Sequence, residues 1–116
     1  MSTDKSLLTG STTMLLLKLL EDKDMYGYQM IEELSKKSDD TFTLKAGTLY
    51  PLLHSLEQQG MVISYDGSAD SARVRKYYSM TKKGKGLLAD KKAEWQAYAS
   101  AVNQVLQGGA ALATTY

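Results

Sequence analysis

The sequence predicts a mainly α-helical domain with a small β-wing, ending in one long helix. Three observations carry that expectation. Leu49, Leu52, Leu53 and Leu56 recur at i, i+3, i+4 and i+7, the apolar stripe of an amphipathic helix. Directly after Gly60, two β-rich runs flank a polar turn, and the second run carries Arg73, Arg75 and Lys76. A last stretch, 82–107, is patterned as a long helix with apolar positions at Leu88, Trp95, Tyr98, Val102, Val105 and Leu106. A helix followed by a basic hairpin is the order of parts in a winged helix-turn-helix. That module most often binds duplex DNA.

Taken in order, residues 1–6 are polar and expected to be loose. Residues 11–20 read as a first helix, almost wholly apolar and therefore buried. Glu21-Asp-Lys-Asp24 is a polar break. Residues 26–37 read as a second helix, with Tyr26, Met30 and Leu34 spaced by four and Ile31 beside them. A loop at 38–41 leads to Phe42-Thr-Leu44, which has the composition of a short strand. The third helix starts near Lys45 or Ala46. Pro51 lacks an N–H and crowds the preceding turn, so an irregular first turn is expected. Gly60 stands where a left-handed residue closes a helix.

In the hairpin, Met61-Val-Ile-Ser-Tyr65 is the first strand and Asp66-Gly67 a turn signal opening a small polar wing tip. Alternation places Arg73, Arg75 and Tyr77 on one face and Val74, Lys76, Tyr78 and Met80 on the other, with Val74, Tyr78 and Met80 toward the core. Thr81 is the expected N-cap of the last helix, which ends at Gly108-Gly109. No later element is available to cover its stripe, which implies a second copy of the chain. Residues 1–80 are thus expected to form the winged-helix domain, 81–108 a dimerisation helix of the same compact unit, and 109–116 an unstructured tail.

The 116 residues suit one domain, and 43% apolar residues suffice for a modest core. The chain has no cysteine, which excludes disulfides, thiolate metal sites and cysteine nucleophiles and suits a reducing cytoplasm. The longest apolar run, Met14-Leu-Leu-Leu17, is far short of the roughly 20 residues of a membrane span, and no secretory leader is recognisable. Net charge is only +1, but its distribution is uneven. Residues 1–66 sum to −4, 67–92 to +6 and 93–116 to −1. A local basic patch matters more for phosphate attraction than the chain average.

Enzymatic chemistry finds little support. Glu32-Glu33 and Asp39-Asp40 are adjacent pairs, whose side chains point apart and do not form an acid/base dyad. His54 is the single histidine, so no typical zinc site is expected, and no cofactor-binding fingerprint occurs.

Five pieces carry a family resemblance. Gly27-Tyr28, Gly47-Thr-Leu-Tyr-Pro51, Leu56-Glu-Gln-Gln-Gly60, Arg75-Lys-Tyr-Tyr78 and Thr81-Lys-Lys-Gly84 resemble, in order and spacing, the PadR-like transcriptional regulators. The resemblance covers roughly residues 7–106, and the short C-terminal part is similar to the compact branch with a single dimerisation helix. It implies a homodimeric winged-helix repressor. In mechanism, the helices at 45–59 of two subunits would enter successive major grooves roughly 34 Å apart. The basic wing would hold phosphates or probe the minor groove. Several such regulators sense small aromatic or lipophilic molecules. In the multidrug-sensing members a tryptophan stands on the dimer helix where this chain has Trp95, and the two indoles flank a flat hydrophobic effector. Lys45 departs from the family, which often has a capping Ser, Asn or Asp there, and adds a cation at the helix start.

The candidate DNA-binding residues are therefore Lys45, Thr48, Tyr50, His54, Arg73, Arg75 and Lys76, and the candidate effector-binding residues are Trp95 and Tyr98. Each has a plainer reading. Thr48 could cap the helix and Tyr50 could be half-buried packing. His54 could be solvated surface, and Lys91 and Lys92 a solvated helix face. Trp95 could be dimer core, a ligand platform, or both. Two further functions stay open: a winged helix that binds protein rather than DNA, and a small-molecule-binding protein with no DNA role.

Overall fold

The computed structural model describes residues 5–67 and 74–108, with side chains from residue 11 onward. The elements run α1 (Lys5–Asp22), β1 (Met25–Tyr26), α2 (Gly27–Lys37), α3 (Ala46–Gln58), β2 (Val62–Gly67), β3 (Arg75–Met80) and α4 (Lys82–Leu106). The chain is mainly helical, with one small antiparallel sheet in the order β1-β3-β2. This is the winged-helix arrangement expected from the sequence.

The core is leucine-rich and lies where α1, α2, α3 and the sheet meet. Leu16, Leu17, Leu19 and Leu20 of α1 are all buried, while Lys18 between them is exposed. Met30 and Leu34 of α2 join Leu49, Leu53 and Leu56 of α3, while Leu52 is half-buried at the edge. The inner sheet face aligns Met25, Tyr78 and Ser64 across the strands, and the outer face aligns Tyr26, Tyr77 and Tyr65. Tyr78 seals the inner face. On the outer face Tyr26 meets Tyr77 edge-on at 5.5 Å and Tyr65 stacks on Tyr77 at 5.9 Å. The Tyr65 hydroxyl donates to Asp24, tying the hairpin to the segment after α1.

The joints between elements are specific. Gly60 has φ +78°, the left-handed closure expected after α3. Thr81 caps α4: its Oγ1 accepts from the Gly84 N–H at 3.0 Å, and its own hydroxyl faces the Gly60 and Met61 carbonyls at 2.6 and 3.0 Å. One residue thus locks the α3–β2 turn to the start of α4. Ser64 donates to Glu57 at 2.6 Å, fastening β2 to α3.

Several boundaries differ from expectation. The first helix begins at Lys5, well before residue 11. Tyr26 is not helical but pairs with Tyr77 in β1, a two-residue strand too short for any periodicity to reveal. Phe42 and Leu44 form no strand. They are loop residues whose side chains pack on the core, which explains their apolar character. Asp66 and Gly67 pair with Lys76 and Arg75, so the ladder runs through the expected turn. The expected wing tip, together with Arg73, falls outside the described residues. Val74 was expected in the core but is 63% exposed, because the ladder starts only at Arg75. The α3 start is irregular in the expected way: the Lys45 carbonyl accepts from both the Thr48 and Leu49 N–H groups, at 3.0 and 2.9 Å. Pro51 sits inside the helix, which nonetheless continues to Gln58.

The last helix is only partly supported. Its first turns pack on α1, and Leu88 is buried in the core, so the stripe is not wholly without an intrachain partner. Beyond Leu88 no residue of α4 is buried, and Val105 and Leu106 are 79% and 76% exposed. The radius of gyration, 17.1 Å, exceeds the ~13 Å of a compact 100-residue domain because α4 projects from the body.

Candidate nucleic-acid interface and a second groove

The start of α3 presents its charged and polar residues outward because the leucines take the inner side. Lys45 occupies the N-cap position without a side-chain cap. It is exposed, as are Gly47, Thr48 and His54. Tyr50, His54 and Gln58 share one row, four residues apart, and Thr48 lies off that row. Tyr50 is half-buried. Its ring meets Tyr28 edge-on at 6.4 Å, and its hydroxyl end lies against Gly27 at the start of α2. The plainer reading of Tyr50, as packing, therefore holds for its ring. Burial, and then the neighbouring Tyr28, push the Tyr50 phenol above its ordinary value, so it stays protonated and able to donate.

Tyr50 also lines an open groove of about 360 Å³ with Tyr26, Gly27, Tyr28, Glu32, Val74, Arg75 and Lys76. The groove brings together three predicted DNA-binding residues, Tyr50, Arg75 and Lys76. It adds the start of α2, which has no side-chain cap. The Arg75 guanidinium lies 4.5 Å from the Tyr26 ring centre, a cation–π contact that fixes the arginine at the base of the wing. The sequence reading missed Tyr28 as a lining residue. Tyr28, the second residue of α2, is 62% exposed, and neither spacing nor composition signals it as a lining residue.

A second groove, about 230 Å³, runs between α1 and α4 and is lined by Met14, Leu15, Lys18, Leu88, Lys92, Trp95 and Gln96. Trp95 forms part of its wall and is 48% exposed. Tyr98 is 6.1 Å from Trp95 between ring centres but does not line the groove. The contribution of α1 through Met14, Leu15 and Lys18 was not foreseen, since only packing brings the two helices together. Among the described residues, no group of His, Cys, Asp or Glu could hold a metal ion, and no helix is long and apolar enough to cross a membrane.

A winged helix with an outward-facing third helix and a basic strand beside it defines the class of a DNA-binding transcriptional regulator. Residues 16–90 match the model of the transcriptional regulator PadR-like family, and the chain belongs to that family. A transcriptional regulator from Clostridium thermocellum has a similar structure, at TM-score 0.80 and 29% identity, over 86% of this chain and 97% of that one. A PadR family transcriptional regulator from Eggerthella lenta compares at TM-score 0.78 and 31% identity, over 88% and 87%. The transcriptional regulator Rv3488 of Mycobacterium tuberculosis is 33% identical over 69 residues, covering 60% of this chain and 61% of that protein. Proteins of this family regulate transcription and are not enzymes.

Proposed function

We propose that this regulator is a homodimeric repressor that acts in the cytoplasm and is released from DNA by a small hydrophobic or aromatic effector bound at the dimer interface. The observation that carries the DNA reading is the groove shared by Tyr50, Arg75 and Lys76 beside the outward row of α3. Two cations, phenolic donors and an uncapped helix start surround one space and outnumber its single carboxylate, Glu32, which leaves it suited to a phosphate. Lys45, Thr48 and His54 then face the major groove or its rim, and Arg73 adds a further cation two residues before Arg75 in the sequence.

The dimer reading rests on the far half of α4. A helix with Trp95, Tyr98, Val105 and Leu106 exposed has little tertiary support of its own. A second copy supplies that support by burying the stripe. Two α4 helices would bring two Trp95 side chains into one interface, next to the α1–α4 grooves. An effector there acts by binding one dimer geometry better than another, which changes the spacing of the two α3 helices.

Selection of bound sequences from a random duplex pool at two salt concentrations tests the DNA reading. Enrichment of an inverted repeat, with half-sites about one helical turn apart, is the expected result. Recovery of unenriched duplex that vanishes at the higher salt would reduce the protein to a non-specific binder.

A further inference from the structure

We infer that Tyr26 is a positioning residue for DNA binding: its ring face holds the Arg75 guanidinium at the groove without neutralising it, so a phosphate meets an arginine already oriented. This rests on the reading of that groove as a phosphate site. The Arg75 guanidinium carbon lies 4.5 Å from the Tyr26 ring centre. Strand register puts it there. Tyr26 pairs with Tyr77, and Arg75 is two residues before Tyr77 on the same face, diagonal to Tyr26.

The ring is itself held. The Tyr26 backbone is extended and stands at the N-cap of α2, so the strand and the helix fix it together. Its ring meets Tyr77 edge-on, and Tyr77 stacks on Tyr65, whose hydroxyl donates to Asp24. At Gly67 a Cβ would collide with the Tyr77 ring, so that position leaves room for the row of tyrosines.

A ring serves here where a carboxylate would not. A carboxylate takes the in-plane N–H groups of a guanidinium and answers its charge, and a phosphate would have to displace it. An aromatic face attracts the cation from above and leaves those N–H groups to an incoming anion. Glu32 lines the same groove, yet Arg75 forms no ion pair among the described residues. Ordering a long side chain before DNA arrives removes that cost from the binding step.

The test is a double-mutant cycle on the full-length protein, with binding to one mixed-sequence duplex at low salt read by fluorescence anisotropy. Tyr26→Leu keeps the backbone pairing and an apolar side chain but removes the ring. It should weaken binding about two- to fivefold, the range of one cation–π contact at an exposed site. In an Arg75→Ala background the same substitution should act by no more than about 1.7-fold, because no cation is left to hold. Tyr26→Phe, which keeps the ring, should have the same effect with and without Arg75. A loss from Tyr26→Leu as large without Arg75 as with it would make Tyr26 a general support or a direct contact, and overturn the inference. So would no loss at all, or a coupling as large for Tyr26→Phe, which would assign the hold to the hydroxyl. If Arg75→Ala itself leaves affinity unchanged, the phosphate reading of the groove falls first, and this inference with it. Should Tyr26→Leu not fold, the wild-type Arg75 side-chain proton resonances decide. Upfield ring-current shifts, with and without duplex, are expected, and unshifted resonances would overturn the hold.

Discussion

Gly27→Ala should damage this fold out of proportion to one methyl group. An alanine Cβ at this position would lie 2.6 Å from Cζ and 2.9 Å from Cε1 of Tyr50. Carbon atoms need about 3.5–4.0 Å, so the ring must retreat by about an ångström. Tyr50 is not a loose side-chain end: it is half-buried, rests on the core and meets Tyr28 edge-on. Overpacking of this kind costs about 1–3 kcal/mol. Replacing a helical glycine by alanine returns roughly 0.5–1 kcal/mol, leaving a net loss of about 1–2 kcal/mol. For a domain of this size that corresponds to a melting temperature lower by roughly 4–16 °C. The assay is thermal unfolding at fixed protein concentration, since dimerisation would make the midpoint concentration-dependent. A double-mutant cycle with Tyr50→Ala isolates the cause. With the ring gone, Gly27→Ala should be neutral or slightly stabilising. If Gly27→Ala alone melts within a degree of wild type, or if the two losses simply add, the close approach of Tyr50 to α2 does not constrain position 27.

Arg75→Ala should weaken binding to all duplexes alike and lower the salt dependence by about one unit, measured by titration across salt. An unchanged slope removes Arg75 from the phosphate contacts. Gly47→Ala meets nothing within 4 Å. It should therefore leave the melting temperature unchanged or a few degrees higher, yet lower DNA affinity in a mobility-shift assay if the duplex backbone approaches the start of α3. Unchanged affinity would put the backbone elsewhere. Val105→Glu alters a side chain that is 79% exposed, so the protomer should stay folded by circular dichroism. Sedimentation should nonetheless show a dimer dissociation constant raised at least about tenfold, the loss of one buried valine and the gain of a desolvated charge per chain. A variant that dimerises like wild type would place the interface away from the end of α4. Tyr78 has its phenol pushed above the ordinary value of 10.0 by burial, then by Glu57 and Tyr50. Its neutral form is favoured in the fold, so its contribution is complete below pH 10.0 and is lost as pH rises through the folded value. Tyr78→Phe should flatten the alkaline limb of a denaturation curve above that pH; identical limbs would assign the alkaline loss to other groups.

The sequence by itself determined the order of the four helices and the hairpin, and the side of α3 that is buried. Periodicity is a local property, and Leu49, Leu53 and Leu56 can satisfy it only by facing one way. The Thr81 cap and the left-handed Gly60 were legible for the same reason, since each acts within one turn of its own position. The candidate DNA-binding residues were chosen as types: cations, a histidine and hydroxyls. Only the tertiary structure decided which of them meet. Tyr50, Arg75 and Lys76 are up to 26 residues apart and share a groove because β1 brings the start of α2 against β3. That strand is two residues long, and pairing, not propensity, makes it. Val74 looked apolar and inward by alternation, but alternation holds only where a ladder continues. Of the α1–α4 groove the sequence pointed only to Trp95, and nothing in it signalled Met14, Leu15 or Lys18. The groove's residues come from opposite ends of the chain, and the packing of one helix on the other creates both its apolar floor and its charge.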